Sequence, residues 1–152
     1  MADKRLKDFA DKLSNILPEI MKAFFRRQSD EITKGKITMP QFFILEYLKR
    51  QGESKMSDLA KVMNVTTAAT TGIIDRIIKY GYIKRVYDEK DRRVIRIKIM
   101  RKGAKVVNKI LEQRRKMILN VFGKLSEKDR ENYLSILLNI RNILINEKRR
   151  KK

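Results

Sequence analysis

The sequence predicts a mainly α-helical fold with one small β-hairpin, and three observations lead there. Apolar residues recur at helical spacing through most of the 152 residues. One stretch near Ile95–Met100 alternates with a period of two instead. Capping residues, glycines and prolines divide the pattern into short segments, which favours several helices over one long rod.

The first segment carries Leu6, Phe9, Ala10, Leu13, Ile16, Leu17, Ile20, Met21, Phe24 and Phe25 in the i, i+3, i+4, i+7 rhythm of an amphipathic helix. Pro18 within it predicts a bend or a break, because proline removes a backbone donor and crowds the preceding turn. A polar connector, RQSDEITKGKIT, follows. Thr38 is placed to cap a second helix, with Pro40 in its first turn, Phe42, Phe43, Leu45 and Leu48 facing inward, and Gly52 at its end. Phe24, Phe25, Phe42 and Phe43 are expected to cluster where these two helices meet. MSDLAKVMN reads as a short third helix with Ser54 or Ser57 near its start. VTTAATTGIIDRIIKYG reads as a fourth, starting at a Thr66 cap and stopping at Gly81.

In the hairpin, Ile95, Ile97 and Ile99 alternate with Arg96, Lys98 and Met100, as a strand with one buried face requires. The partner strand, Tyr82 to Tyr87, alternates less cleanly, and its inward residues stay unassigned. After Gly103 a long helical pattern runs through Val106, Val107, Ile110, Leu111, Ile118, Val121 and Phe122. Ser126 and Asp129 then resemble a capping box. The last helix carries Leu134, Leu137, Leu138, Ile140, Ile143, Leu144 and Ile145, a stripe wider than one contact face needs. Such surplus apolar surface on terminal helices predicts an oligomer. Residues 149–152 read as a basic, disordered tail.

Composition narrows the function. Lys and Arg number 38 against 18 Asp and Glu, a formal charge of +20, which predicts a polyanionic partner: nucleic acid first, an anionic membrane surface second. No run of about 18 apolar residues is present and the N-terminus lacks the apolar stretch of a signal peptide, so a cytoplasmic protein without a membrane partner is expected. The chain has no Cys and no His. Disulfides, thiolate or imidazole metal ligands and imidazole bases are therefore excluded, and no catalytic residue, metal site or cofactor is expected.

Two short helices separated by Asn64 and Val65 form a helix-turn-helix candidate, and the basic hairpin that follows makes it a winged one. In the fourth helix Ile73, Ile74, Ile77 and Ile78 form the inward stripe. Thr66, Thr67, Ala68, Thr71, Gly72 and Asp75 are left on the outer side toward the N-terminal end, the end that major-groove helices present to base edges. Threonine hydroxyls bond phosphates or base edges, and Thr and Ala methyls suit the thymine methyl. No Arg, Asn or Gln stands on that face, so strong bidentate base reading is not expected from the helix, and a plain solvated helix start is the alternative. Arg76, Lys79 and Lys84 are candidates for phosphate contacts, or simple surface charge. In the wing tip, DEKDRR, Asp91 and Arg93 are two apart in a segment read as extended, hence on one face, with Arg92 on the other. Asp91 either aims the Arg93 guanidinium at a narrow minor groove or, with its neighbours, keeps a hairpin edge from pairing with another chain. Asp88 is assigned to the turn backbone and Glu89 to solvent.

The blocks ITMPQFFILEYL, SDLAKVMNVTTAATTGIIDRIIKYGYIKR and DEKDRRVIRIKIMRKG together resemble the multiple-antibiotic-resistance regulator (MarR) family, the last matching its D-x-R wing signature before a strand and a helix-opening Gly. The resemblance implies a homodimer, with 1–34 and 104–148 as the helical dimerisation region and 35–103 as a winged helix-turn-helix lobe. It places recognition helix 66–80 in the major groove and wing 82–100 in the minor groove of double-stranded DNA. It favours the minor-groove role for Asp91, Arg92 and Arg93. It also implies a small aromatic or phenolic effector in a cleft beside Phe24, Arg26, Phe42 and Phe43, with Arg26 or Arg27 pairing its carboxylate. Family members often carry a long polar or basic side chain where Gly72 stands, so specificity is expected to shift toward the wing. The expected function is a ligand-responsive regulator, a repressor on a pseudo-palindromic operator. The alternative is a sequence-tolerant architectural DNA-binding protein.

Overall fold

The computed structural model describes residues 3–27, 32, 34 and 36–150, of which 148–150 are given by backbone alone. The chain divides into two units, Met1–Arg114 and Arg115–Lys152. Most of the polar connector lies outside the described residues.

The first unit begins with α1, Lys4–Arg26, opened by Asp3, whose carboxylate accepts the Arg5 N–H at 3.2 Å. The helix runs through Pro18 without the expected break. A proline forfeits a single backbone donor, and the turns on both sides keep their own bonds. No residue of α1 is buried, so its apolar stripe lies open. Helix α2, Met39–Gln51, starts on a reciprocal capping box: Thr38 Oγ1 accepts the Gln41 N–H at 3.4 Å, and Gln41 Oε1 accepts the Thr38 N–H at 3.0 Å. It ends at Gly52, whose φ of 80° lies in the left-handed region.

Phe42, Leu45 and Leu48 are buried as predicted, but Phe43 is 45% exposed. It sits about 100° around the helix from Phe42 and takes the solvent side. The four-ring cluster does not form. The Phe42 ring meets Phe43 at 5.9 Å and the Arg114 guanidinium at 5.0 Å, whereas Phe25 is exposed.

Strand β1, Glu53–Lys55, was not foreseen; it turns the hairpin into a three-stranded antiparallel sheet of order β1-β3-β2. Ser54 is consequently a buried strand residue, and α3, Met56–Met63, starts at Lys55 with no side-chain cap from Ser54 or Ser57. Asn64 in the left-handed conformation (φ 53°) ends α3, and α4 spans Thr67–Lys79. The hairpin strands are β2, Ile83–Tyr87, and β3, Ile95–Ile99, in a register from Ile83↔Ile99 to Tyr87↔Ile95. The core joins Ile37, Phe42, Ile44, Leu45 and Leu48 to Leu59, Ile74, Ile77, Ile83, Ile97, Val107 and Ile110. On β3 only Ile97 is fully buried; Ile99 is half-buried and Ile95 exposed, because the hairpin outruns the core toward its tip.

Helix α5, Arg101–Phe122, contains the division between the units. In the second unit Ser126 Oγ accepts the Asp129 N–H at 3.1 Å and donates to the Asp129 carboxylate at 2.6 Å. The Arg130 guanidinium donates to the Leu125 carbonyl (2.6 Å) and to the Phe122 carbonyl (3.4 Å), which also accepts the Leu125 N–H at 3.0 Å, and Phe122 meets Tyr133 at 5.3 Å. Helix α6, Glu127–Arg150, exposes Leu134, Ile136, Leu137, Leu138, Ile140, Ile143, Leu144 and Ile145. It continues to Arg150, into the run read as a disordered tail, and 151–152 lie outside the described residues. Among the described residues no helix is long and apolar enough to cross a membrane.

Candidate nucleic-acid interface

Helix α4 is anchored by Ile74 and Ile77, both fully buried, with Ile73 and Ile78 packed beside them. That anchoring turns Thr66, Thr67, Ala68, Gly72 and Arg76 to solvent, with Thr71 and Asp75 half-exposed. Local hydrogen bonds decide what the threonines can still offer. Thr66 Oγ1 accepts the Ala69 N–H at 3.2 Å as the N-cap, which leaves its own hydroxyl proton free to donate. Thr71 Oγ1 donates to the Thr67 carbonyl at 2.9 Å and keeps its lone pairs. The exposed N-terminal half of the helix therefore presents a donor at Thr66 and an acceptor at Thr71, about 1.4 helical turns apart. Next to Thr71 the surface is bare: a Cβ added to Gly72 would meet nothing within 4 Å.

The hairpin is fixed to this helix by a pair that sequence reasoning missed. The Arg85 guanidinium of β2 bonds the Asp75 carboxylate of α4 at 2.6 Å. Asp75 had been left as an outward acid on the helix, and its partner is ten residues away. The available signal was the alternation of Arg85 with Ile83, which puts a cation on the inward face of a strand, where it needs an acid. At the hairpin base, the Lys102 ammonium donates to the Tyr80 carbonyl at 2.8 Å and lies 5.2 Å from the Tyr82 ring centroid.

In the wing tip Asp88 does more than shape the turn. One carboxylate oxygen accepts the N–H groups of Lys90 (2.9 Å) and Asp91 (3.4 Å), and the other holds Arg96 Nε at 2.7 Å. Arg96 also reaches Glu53 of β1 at 3.7 Å, so one arginine links the wing tip to all three strands. Asp91 differs from its expected role. Its carboxylate accepts the backbone N–H of Arg93 at 3.0 Å, and Val94 N–H closes back on the Asp91 carbonyl at 2.9 Å. The segment is a turn, not an extended strand, and in a turn the N–H two residues on is the nearest donor to an aspartate. Asp91 thus builds the apex that carries Arg92 and Arg93, both exposed, and the Arg93 guanidinium has no ion pair among the described residues.

A helix-turn-helix with an open N-terminal face, clamped to a wing tipped by two exposed arginines, is an arrangement with known relatives. The MarR family model matches residues 37–95. The chain is 25% identical to a MarR family protein from Bacillus stearothermophilus of known structure, covering 95% of this chain and 99% of that one with a TM-score of 0.77. A MepR-like protein crystallised with pseudoligands is 31% identical, covering 88% of this chain and 94% of that one, with a TM-score of 0.57. The chain belongs to the MarR family. The HTH-type transcriptional repressor MdtR of Bacillus subtilis is a further relative, 29% identical over 124 residues, which cover 79% of this chain and 80% of that protein. This MarR-family protein is accordingly a DNA-binding transcription regulator built on the winged-helix fold.

In this MarR-family chain the four residues expected around an effector are not all brought together. Phe42 is buried beside Phe43, but no ring contact, hydrogen bond or ion pair joins either to Phe24 or Arg26 among the described residues. Arg27 donates to the Ala23 carbonyl at 3.3 Å. Phe43 instead lines a shallow groove of about 260 Å³ with Glu46, Tyr47, Arg50, Val62 and Met63.

The wing has a pH dependence whose sign follows from Asp88. The Arg96 guanidinium, and secondarily the Lys90 N–H, hold its carboxyl below the ordinary carboxylate value. A depressed folded-state pKa contributes stability that is complete above the unfolded value, about 3.9, and is lost as pH falls through the folded one. The amides of Lys90 and Asp91 should therefore exchange slowly at neutral pH and lose protection in acid, with a midpoint below about 3.9. Asp88→Asn should remove that transition, as measured by hydrogen exchange followed by NMR. An unchanged acid midpoint in this variant would show that another group governs the wing.

Proposed function

We propose that this protein is a repressor that binds a pseudo-palindromic operator as a homodimer and releases it when a small aromatic or phenolic acid binds. Helix α4 enters the major groove, and Arg92 and Arg93 enter the adjacent minor groove, where narrow A·T-rich DNA concentrates negative potential. The observation that carries this reading is the wing apex: Asp88 and Asp91 bond the backbone of one turn, and Arg92 and Arg93 are exposed there with no ion pair among the described residues. The homodimer is supported by the apolar residues that α1 and α6 each leave exposed. The effector reading is supported by the Phe43, Tyr47 and Arg50 groove, where rings and a guanidinium suit an aromatic carboxylate, and by the relative complexed with pseudoligands.

A sequence-tolerant architectural role is favoured by a different observation, the bare Gly72 on a recognition face without long base-reading side chains. A competition titration at fixed salt separates the two, with sedimentation at the same concentrations reporting the dimer. The repressor reading expects an operator preference above about tenfold over random DNA. It also expects Arg93→Ala to reduce operator affinity more than random-DNA affinity. Equal losses on both would favour the architectural role.

A further inference from the structure

The face of the hairpin turned toward α4 carries residues to which the interface above gives no role. Register and alternation put Ile83, Arg85 and Tyr87 on one face of β2, opposite Ile99, Ile97 and Ile95 of β3. That face starts in the core at Ile83 and passes Arg85, which is bonded to Asp75 of α4. It ends at Tyr87, which at 69% is the most exposed large apolar side chain among the described residues, with its cross-strand partner Ile95 at 37%. The Tyr87 phenol has no hydrogen bond among the described residues. The adjoining turn carries three exposed cations, Lys90, Arg92 and Arg93, beside the exposed acids Glu89 and Asp91.

With α4 in one groove and the wing tip in the next, the sugar-phosphate strand separating the grooves must run past this face. We propose that Tyr87 is a DNA-backbone contact, its ring and Ile95 covering a deoxyribose while the phenol O–H donates to a phosphate oxygen of that strand. This rests on the groove placement proposed above. A tyrosine suits the role because one end is apolar and the other donates a hydrogen bond. The three cations of the adjoining turn outnumber its two exposed acids and suit the charge of the strand, and a phosphate contact fixes register without reading sequence.

The test is a scan of single methylphosphonate substitutions along the operator strand between the grooves, with wild type, Tyr87→Phe and Tyr87→Ala. Tyr87→Phe should bind operator and random DNA about threefold to tenfold more weakly, the value of one hydrogen bond, and Tyr87→Ala more weakly still. One methylphosphonate should weaken wild type by that factor and Tyr87→Phe no further. Wild-type affinity in both variants, or losses that add at every phosphate, would overturn the contact, as would a fall in melting temperature in Tyr87→Phe. Arg93→Ala separates the two failures: if it still lowers operator preference while the Tyr87 variants bind as wild type, only this contact fails. If it too binds as wild type, the groove placement itself fails.

Discussion

Gly103→Ala is expected to destabilise the DNA-binding unit by about 1 to 3 kcal/mol, the usual cost of forcing a methyl into a packed site. Gly103 is buried in the first turn of α5, where an added Cβ would overlap the Tyr82 carbonyl oxygen and lie 3.0 Å from its carbon. The obstacle is backbone, so no side-chain rotation relieves it. The same Tyr82 carbonyl accepts the Met100 N–H at 2.9 Å, one step outside the Ile83↔Ile99 pair. Moving it disturbs the hairpin where it leaves α4, and DNA affinity should fall with stability. Gly72→Ala is the internal comparison. It lies in a helix interior with open space around it, so the same substitution should stabilise by about 0.5 to 1 kcal/mol. Thermal unfolding followed by circular dichroism should move in opposite directions for the two variants. A Gly103→Ala protein that melts with wild type would mean that α5 shifts freely against the hairpin.

What the sequence made legible was local. The Thr38 cap, the Thr66 cap and the Asp88 turn each join groups within three residues, and local chemistry decides such contacts before tertiary structure exists. The inward isoleucines of α4 were equally readable, since helical period alone separates Ile74 and Ile77 from Ala68 and Gly72. What escaped was nonlocal or competitive. Strand β1 is three residues long and exists only because β3 passes beside it, about forty residues later, so no pattern of its own could announce it. Asp91 had two donors within reach, the Arg93 guanidinium and the Arg93 amide, and sequence spacing does not rank them. Two adjacent phenylalanines in α2 cannot share one face, and helical period left undecided which of them faced the core. The candidate site was thus legible as a list of positions, while the bonds that aim those positions were not.

The Asp75–Arg85 pair should show its importance on DNA more than in stability. Both side chains are about half-exposed, 48% and 41%, so the pair contributes only about 0.2 to 1 kcal/mol to folding. Its position is what matters, because it joins the recognition helix to the strand that leads into the wing. Arg85→Ala removes that tie and also leaves the Asp75 carboxylate unneutralised on the helix that is proposed above to enter the major groove. Like charges brought together at a dry interface cost on the order of several kcal/mol, and solvent around the half-exposed Asp75 cuts this to about 1.4 to 2.8 kcal/mol, so the expected loss of DNA affinity is about 10-fold to 100-fold. If the bare carboxylate is the main cause, the double variant Asp75→Ala with Arg85→Ala should bind better than Arg85→Ala alone, although it lacks the same tie. The charge-exchanged pair, Asp75→Arg with Arg85→Asp, should recover more, since it restores the bridge as well as the neutrality. Titrations at two salt concentrations isolate the carboxylate, because Arg85→Ala and the double alanine variant both lack the tie and differ only in a charge whose influence falls as screening rises. A double alanine variant no better than the single one at low salt would leave only the tie, and Asp75 would then act on DNA solely through the angle it sets between helix and wing.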